Sequence, residues 1–223
     1  MIGITFSLFL ILALGILGLT VVMKLMKNFR PGRNKIQSDL KQIRAEMAPQ
    51  VLDLVPWSME EMEQLSVNQI KRSNKSGIIK SSKGVLTTIY HEPVIVWVYK
   101  KYVSQKENGL LYARTSTQEF VYRLKNDEVE MVVGEQLLGV LNQQGILMGQ
   151  KGDKQLAQIS KSETNLVLPL KVNNKLVGGL SNPDRKQKSN TRAFQHLTKL
   201  NKEEEELVLS LSILELVRRE IDA

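Results

Sequence analysis

Residues 201–223 read NKEEEELVLSLSILELVRREIDA. Asn201 stands where a helix N-cap stands, and Glu204 follows at the spacing of a capping box. Glu203–Glu206 put negative charge on the first turn, and Arg218 and Arg219 put positive charge on the last; both signs suit the helix dipole. On a helical projection Leu207, Val208, Leu209, Leu211, Ile213, Leu214, Leu216 and Val217 surround the axis, interrupted mainly by the small Ser210 and Ser212. A helix that is apolar all round is a buried helix or a membrane span. This apolar run covers about 11 residues, or about 16 Å, too short for a bilayer. A strand is the competing reading, because Leu207, Leu209, Leu211 and Ile213 alternate with Val208, Ser210 and Ser212. The cap and the matched end charges favour the helix. Buried on every side, such a helix needs a wall around it.

The preceding sequence supplies one. From Gly77 the apolar period becomes two. GVLTTIY, VIVWVYKKYV, GLLYART, EFVYRL, VEMVVG, QLLGVLN, GILMGQ, QLAQIS, NLVLPLKV and KLVGGL read as short strands, and AFQHLT as a weaker one. HEP, ENG, KND, NQQG, KGD and VNN punctuate them. Turns recurring about every 8–12 residues predict an antiparallel meander closing into a barrel or sandwich. The expected fold is mainly β (α+β): an N-terminal transmembrane helix, then an antiparallel barrel of about 10–12 short strands around a hydrophobic C-terminal helix. The expected organisation is an anchor over 1–23, a basic juxtamembrane segment with two amphipathic helices over 24–76, the barrel over 77–200 and the enclosed helix over 201–223.

A meander of about a dozen strands ending in LNKEEEELVLSLSILELVRREI resembles the tubby-like superfamily, which includes phospholipid scramblase and the LURP-one-related proteins. The strand–turn texture of EVEMVVGEQLLGVLNQQGILMGQ is also similar to that family. The resemblance covers residues 77–223 and implies a closed barrel wrapped around its C-terminal helix. Two features depart from the family pattern: the apolar anchor is N-terminal, and there is neither a cysteine-rich acylation segment nor an acidic calcium loop. Both weigh against calcium-triggered lipid scrambling. The resemblance implies phosphoinositide contact through basic barrel side chains, with no individual ligand carried over to this sequence.

The other end of the chain, MIGITFSLFLILALGILGLTVVM, holds no charged side chain from Ile2 to Met23. As a helix it spans about 33 Å, matching a hydrocarbon core of about 30 Å. A cleaved signal peptide competes, but there is no basic n-region and no small-x-small site before the charges. Lys24, Lys27, Arg30, Arg33 and Lys35 follow at once, so the positive-inside rule puts the N-terminus outside and the remaining chain in the cytoplasm. The absence of cysteine is compatible with that compartment. Of the net charge of +8, residues 1–49 carry +5, from seven Lys or Arg against two acids. Such a juxtamembrane excess attracts anionic headgroups. No basic patch interleaved with aromatics points to nucleic acid.

After Pro31 and Gly32, NKIQSDLKQIRAEMAP places Ile36, Leu40, Ile43 and Met47 on one helical stripe, which Pro49 is expected to end. The stripe suits docking on its own domain or on a partner helix. A second helix is expected in PWSMEEMEQLSVNQIK, with a Ser58–Glu61 capping box and Met59, Met62, Leu65 and Ile70 facing inward. KRSNKSG then reads as a polar linker.

Catalytic signatures are missing. His91 and His196 stand alone, with no neighbour at metal-ligand spacing. There is no cysteine, G-x-S-x-G or P-loop. Glu128 and Glu130 share a strand face, which suits a carboxylate pair or, more simply, a solvated face. Gly145, Gly149 and Gly152 read as turn glycines, and Val177–Gly179 as a bulge or barrel corner. SNPDRKQKSNTR, residues 181–192, reads as a solvated loop or as a contact for lipid phosphates or an acidic partner. The candidate lipid- or partner-contacting residues are therefore Lys24, Lys27, Arg30, Arg33, Lys35, Arg185, Lys186, Lys188 and Arg192, with no catalytic, cofactor or metal residue. Expected partners are anionic membrane lipids and other membrane-protein subunits, and no nucleic acid or cofactor. The expected function is that of a membrane-anchored, non-enzymatic interaction protein, an accessory subunit of a membrane complex. A scramblase-like protein that binds or moves phospholipid at the cytoplasmic face is the alternative.

Overall fold

Asn126–Asp127 and Asn173–Asn174 hold left-handed backbone, with φ of 51°, 72°, 47° and 65°. These are the two-residue turns that match strand twist in tight hairpins. They help fold the chain into one antiparallel sheet whose spatial order is its chain order. In this computed structural model the described residues are 31–75, 80–152, 154–160, 165–182 and 192–222, with Leu14, Ile16, Leu17, Thr20 and Met23. The strands are β1 (Leu65–Lys75), β2 (Ser81–Thr88), β3 (Pro93–Lys101), β4 (Asn108–Arg114), β5 (Glu119–Lys125), β6 (Glu128–Val133), β7 (Gln136–Leu141), β8 (Ile146–Gly149), β9 (Gln155–Ile159), β10 (Val167–Val172), β11 (Lys175–Ser181) and β12 (Phe194–Gln195). A Ser66–Arg192 bridge and the Ala193 N–H donating to the Leu65 carbonyl (2.7 Å) bring the last strand back toward the first. The result is a nearly closed barrel of 12 strands.

Two helices serve this sheet. Helix α1 (Arg33–Leu52) lies outside it, and α2 (Lys202–Asp222) lies inside. The capping box of α2 is formed: Glu204 N–H donates to Asn201 Oδ1, and Asn201 N–H donates to Glu204 Oε2, both at 3.0 Å. Leu211, Ile213, Leu214 and Val217 are at most 1% exposed, in one cluster with Ile95, Trp97, Phe120, Met131, Leu147, Ile159, Leu170 and Leu180 from around the wall. Each such side chain contributes about 1.5–3 kcal/mol of transfer free energy. The buried Tyr122 hydroxyl donates to the Ser210 carbonyl at 2.9 Å, tying wall to helix. Gly84 lies directly opposite Trp97 on β3, and a Cβ there would come within 2.7 Å of the indole, so the missing side chain makes room for the inward ring.

Strands β2–β4 are covered on both faces. On β3, Ile95, Trp97 and Tyr99 point inward, while Val96 and Val98 lie under Ile43 and Met47 of α1. The unbroken VIVWVY run is the mark of a strand buried on both sides. On β5 burial alternates, because no helix covers its outer face.

Four expectations are corrected. The barrel starts at Leu65, before residue 77: the predicted second helix is one 3₁₀ segment, Met59–Gln64, and the chain then pairs with β2. The Ser58–Glu61 capping box is present, with Ser58 N–H donating to Glu61 Oε2 at 3.0 Å, but a cap alone does not extend a helix into the β-branched Val67 and Ile70. Ile70 is 50% exposed because it lies on the outer strand face. Lys71–Lys75, expected in a linker, belong to β1. Helix α1 continues through Pro49 to Leu52. The proline removes one hydrogen bond in the final turn, over the exposed Ala45, while Val51 and the buried Leu54 still pack on the outer cluster.

Of the expected anchor over 1–23, only Leu14, Ile16, Leu17, Thr20 and Met23 are described; they are helical, and the rest lies outside the described residues. Among the described residues no helix is long and apolar enough to cross a membrane.

Candidate functional site

In an up-and-down meander every second connection comes to the same end of the barrel. The β3–β4 and β5–β6 connections meet at the end where α2 finishes, since Arg218 pairs with Glu107 at 2.9 Å and Arg219 donates to the Ser181 carbonyl at 3.1 Å. Lys80, Lys101, Lys106 and Lys125 are exposed on this end, Lys106 within 3.9 Å of Asp127 and Lys125 opposite Glu128, while Lys151, Lys154, Lys175, Lys199 and Lys202 are exposed on the other. The Lys101 N–H, at the end of β3, donates to the carbonyl of Lys80, the residue before β2, so these two lysines are neighbours.

Helix α1 begins at the same end, fixed by a buried carboxylate. Asp39 is 2% exposed and accepts from Lys35 (2.6 Å), Lys100 (2.8 Å) and the Tyr102 hydroxyl (2.8 Å). Burial pushes its pKa up, but the bonds from Lys100, Lys35 and Tyr102 outweigh that and hold it below the ordinary 3.8. Burial and the neighbouring Asp39 push the Tyr102 phenol well up. The Arg123 guanidinium stacks over the Tyr102 ring at 5.5 Å and donates to Asn108 Oδ1 at 2.7 Å.

Of the candidate contact residues, Arg33 is exposed at the start of α1, and Lys35 is held by Asp39. Arg192 is exposed at the barrel seam, where its carbonyl accepts from the Ser181 hydroxyl at 2.8 Å. Lys24, Lys27, Arg30, Arg185, Lys186 and Lys188 lie outside the described residues. Sequence reading missed Lys80, Lys101, Lys106 and Lys125; assigning alternate turns to alternate ends would have grouped them.

The opposite end carries a polar cleft of about 710 Å³ between α1, the β4–β5 and β6–β7 turns and the start of α2. Arg44 grips Glu119 with two nitrogens, its Nε at 3.1 Å, and these bonds raise the guanidinium pKa above its usual value. Tyr112 donates to Glu119 at 3.2 Å, and Gln118 donates to Glu206 at 3.2 Å. The Arg114 Nε is buried with no hydrogen-bond partner among the described residues. Glu135 stands exposed on the tight turn that Gly134 (φ 59°) allows.

Other candidate chemistry resolves into structure. Glu128 and Glu130 are exposed and sit opposite Lys125 and Arg123 across the β5–β6 pair, a solvated face with matched cross-strand charge. Gly145 and Gly152 have φ of 78° and 70°, as turn glycines do. The register slips between Leu170 and Lys171, opposite the Val177–Gly179 segment, as expected of a bulge. Among the described residues no three His, Asp or Glu side chains group to hold a metal ion. No protein-family model, curated protein or solved structure matches this chain.

Proposed function

We propose that this chain is a membrane-anchored, non-enzymatic interaction protein, an accessory subunit of a membrane complex, with its barrel on the cytoplasmic side. The carrying observation is that α2 fills the barrel, its Leu207–Val217 segment buried apart from the half-buried Glu215. A barrel packed with its own helix works through its outer surface. Helix α1 takes part of that surface, so the two ends and the uncovered strand faces remain for partners. The N-terminal sequence supports membrane attachment: the run from Ile2 to Met23 carries no charged side chain, and Lys24, Lys27 and Arg30 follow it directly. The test is native purification of the full chain in mild detergent. A stoichiometric set of co-eluting proteins is expected, and a chain eluting alone overturns the reading. Protease added to sealed, right-side-out cells should leave the barrel intact; digestion from outside overturns the cytoplasmic placement.

The second reading, a scramblase-like protein that binds or moves phospholipid, draws on the lysines at the end where α1 starts. Lys80, Lys101, Lys106 and Lys125 are exposed there, beside the start of α1, where the chain arrives from its uncharged N-terminal run. Lysines near an anionic surface contribute about 1 kcal/mol each. Fragment 24–223 should bind anionic vesicles more than neutral ones, and salt should weaken the binding. Equal binding to both removes this reading, whereas enriched anionic lipid with no protein partner in the native purification favours it over the first.

A further inference from the structure

Strand β1 is the longest in the barrel, with 11 residues against the two of β12 that face it across the seam. Its β2 side is paired as far as Lys75. Its other side is paired, among the described residues, only at the start: by the Ser66–Arg192 bridge and by the Ala193 N–H on the Leu65 carbonyl. From Gln69 to Lys75 the outer backbone groups meet no partner among the described residues, and such an edge is a template for an added strand. Charge selects what can be added. From Leu65 to Ser82 the sequence carries Lys71, Arg72, Lys75 and Lys80 and no Asp or Glu. A second copy is disfavoured, because two β1 edges side by side bring these cations together. The stretch leading into Arg192 is disfavoured for the same reason: continuing the antiparallel Ser66–Arg192 bridge brings Lys186 and Lys188 onto Lys71 and Arg72. The start of the edge differs. The Gln69 amide donates to the Leu216 carbonyl of α2 at 2.8 Å, and Gln69 Oε1 and Glu215 Oε2 are buried with no donor among the described residues. An added strand must therefore match cations along Lys71–Lys75 and bring no carboxylate beside Gln69.

We propose that the free edge of β1 binds an extended acidic segment of a partner protein by strand addition. Backbone hydrogen bonds along Gln69–Lys75 hold the segment, its carboxylates run beside Lys71–Lys75, and its residue next to Gln69 is an uncharged hydrogen-bond donor. This deepens the interaction-protein reading and rests on it, by naming the edge at which the partner joins and the chemistry it carries.

The experiment uses the full chain in nonionic detergent and labelled peptides of one strand-forming pattern: one with glutamate as its charged residue, one with lysine, and a glutamate peptide N-methylated on its backbone amides. Fluorescence anisotropy should show the glutamate peptide binding at least about tenfold tighter than the lysine peptide. N-methylation should lose at least about tenfold of that affinity, since it removes the backbone ladder and keeps the charge. Lys71→Glu combined with Arg72→Glu and Lys75→Glu should reverse the preference in favour of the lysine peptide, which a merely unfolded chain would not do, while Lys154→Glu at the other end should not weaken glutamate-peptide binding. Equal binding of the glutamate and lysine peptides, undiminished binding of the N-methylated one, or an unchanged preference in the triple variant overturns the proposal. So does binding that appears only when residues 183–191 are replaced by a glycine–serine linker, because the chain's own segment then covers the edge. A concentration-dependent dimer that the triple variant abolishes also overturns it, because it assigns the edge to a second copy. The triple variant then goes through the native purification. Partners that stay bound to it sink this docking edge and leave the interaction-protein reading standing. A parent chain that elutes alone sinks that reading itself.

Discussion

Helix α1 has 20 residues and α2 has 21, and the same sheet separates them. They are nevertheless different objects. Helix α2 is surrounded, so its apolar residues occupy every side, and its polar Ser212 turns inward on itself to donate to the Val208 carbonyl at 2.7 Å. Helix α1 is a cover plate: one stripe, with Ile43 and Met47 at its centre, packs on β2–β4, and the rest faces solvent. To that apolar contact Asp39, which three donors hold in the seam, adds a directional one. Enclosure specifies a helix through shape and hydrophobicity, whereas a one-sided dock needs a directional bond to set its register.

Four perturbations probe that contrast, in decreasing order of effect. Leu214→Asp puts a carboxylate on α2 where the side chain is fully buried, and it should cost at least about 3 kcal/mol. Thermal melting of fragment 24–223 reads this, and a midpoint within about two degrees of the parent means that the helix is not enclosed. Met47→Ala removes the most buried contact of α1 and should cost about 2–4 kcal/mol by chemical denaturation. A change below about 0.5 kcal/mol would show that the plate does not contribute to folding stability.

Asp39→Asn weakens the latch by about 1–3 kcal/mol at neutral pH. The pH dependence has a definite sign. The folded carboxyl titrates below its ordinary value, so its stabilisation is present above about pH 4 and is lost as pH falls through the lowered folded value. Denaturation midpoints of parent and variant should therefore converge toward low pH, and a constant gap from neutral to acid would remove the carboxylate from the account. Arg44→Ala, which breaks a half-exposed pair with Glu119, should change stability by no more than about 1 kcal/mol. A larger loss would mean that the cleft wall also holds α1 down.

The enclosed helix was legible because Leu207–Val217 cannot satisfy any one-sided arrangement, and β2–β12 were legible because period-two runs alternate with Gly, Asn and Asp turns. Strand β1 was not. Met59, Met62 and Leu65 fit a helical spacing as well as a 3₁₀ turn running into a strand, and the local signals do not decide between them. The Asp39 latch was invisible for a different reason: its partners Lys100 and Tyr102 lie 61 and 63 residues away, and no local pattern reports a pairing made by the fold. Exposed lysines on alternate turns were readable in principle, but they form one surface only after the strand count and the starting strand are right.

The order of the chain gives the filled barrel a temporal consequence. The ribosome makes the wall before it makes the core, since Leu65 is synthesised about 150 residues ahead of Val217. At translation speeds of about 5–20 residues per second, the first inward face waits roughly eight to thirty seconds for α2. During that interval the hairpins can zip locally, yet Trp97, Phe120 and Leu147 have nothing to close around. Newborn chains should therefore depend on chaperone protection until α2 emerges, and slowing translation between β7 and α2 should lower the soluble yield without altering the finished protein.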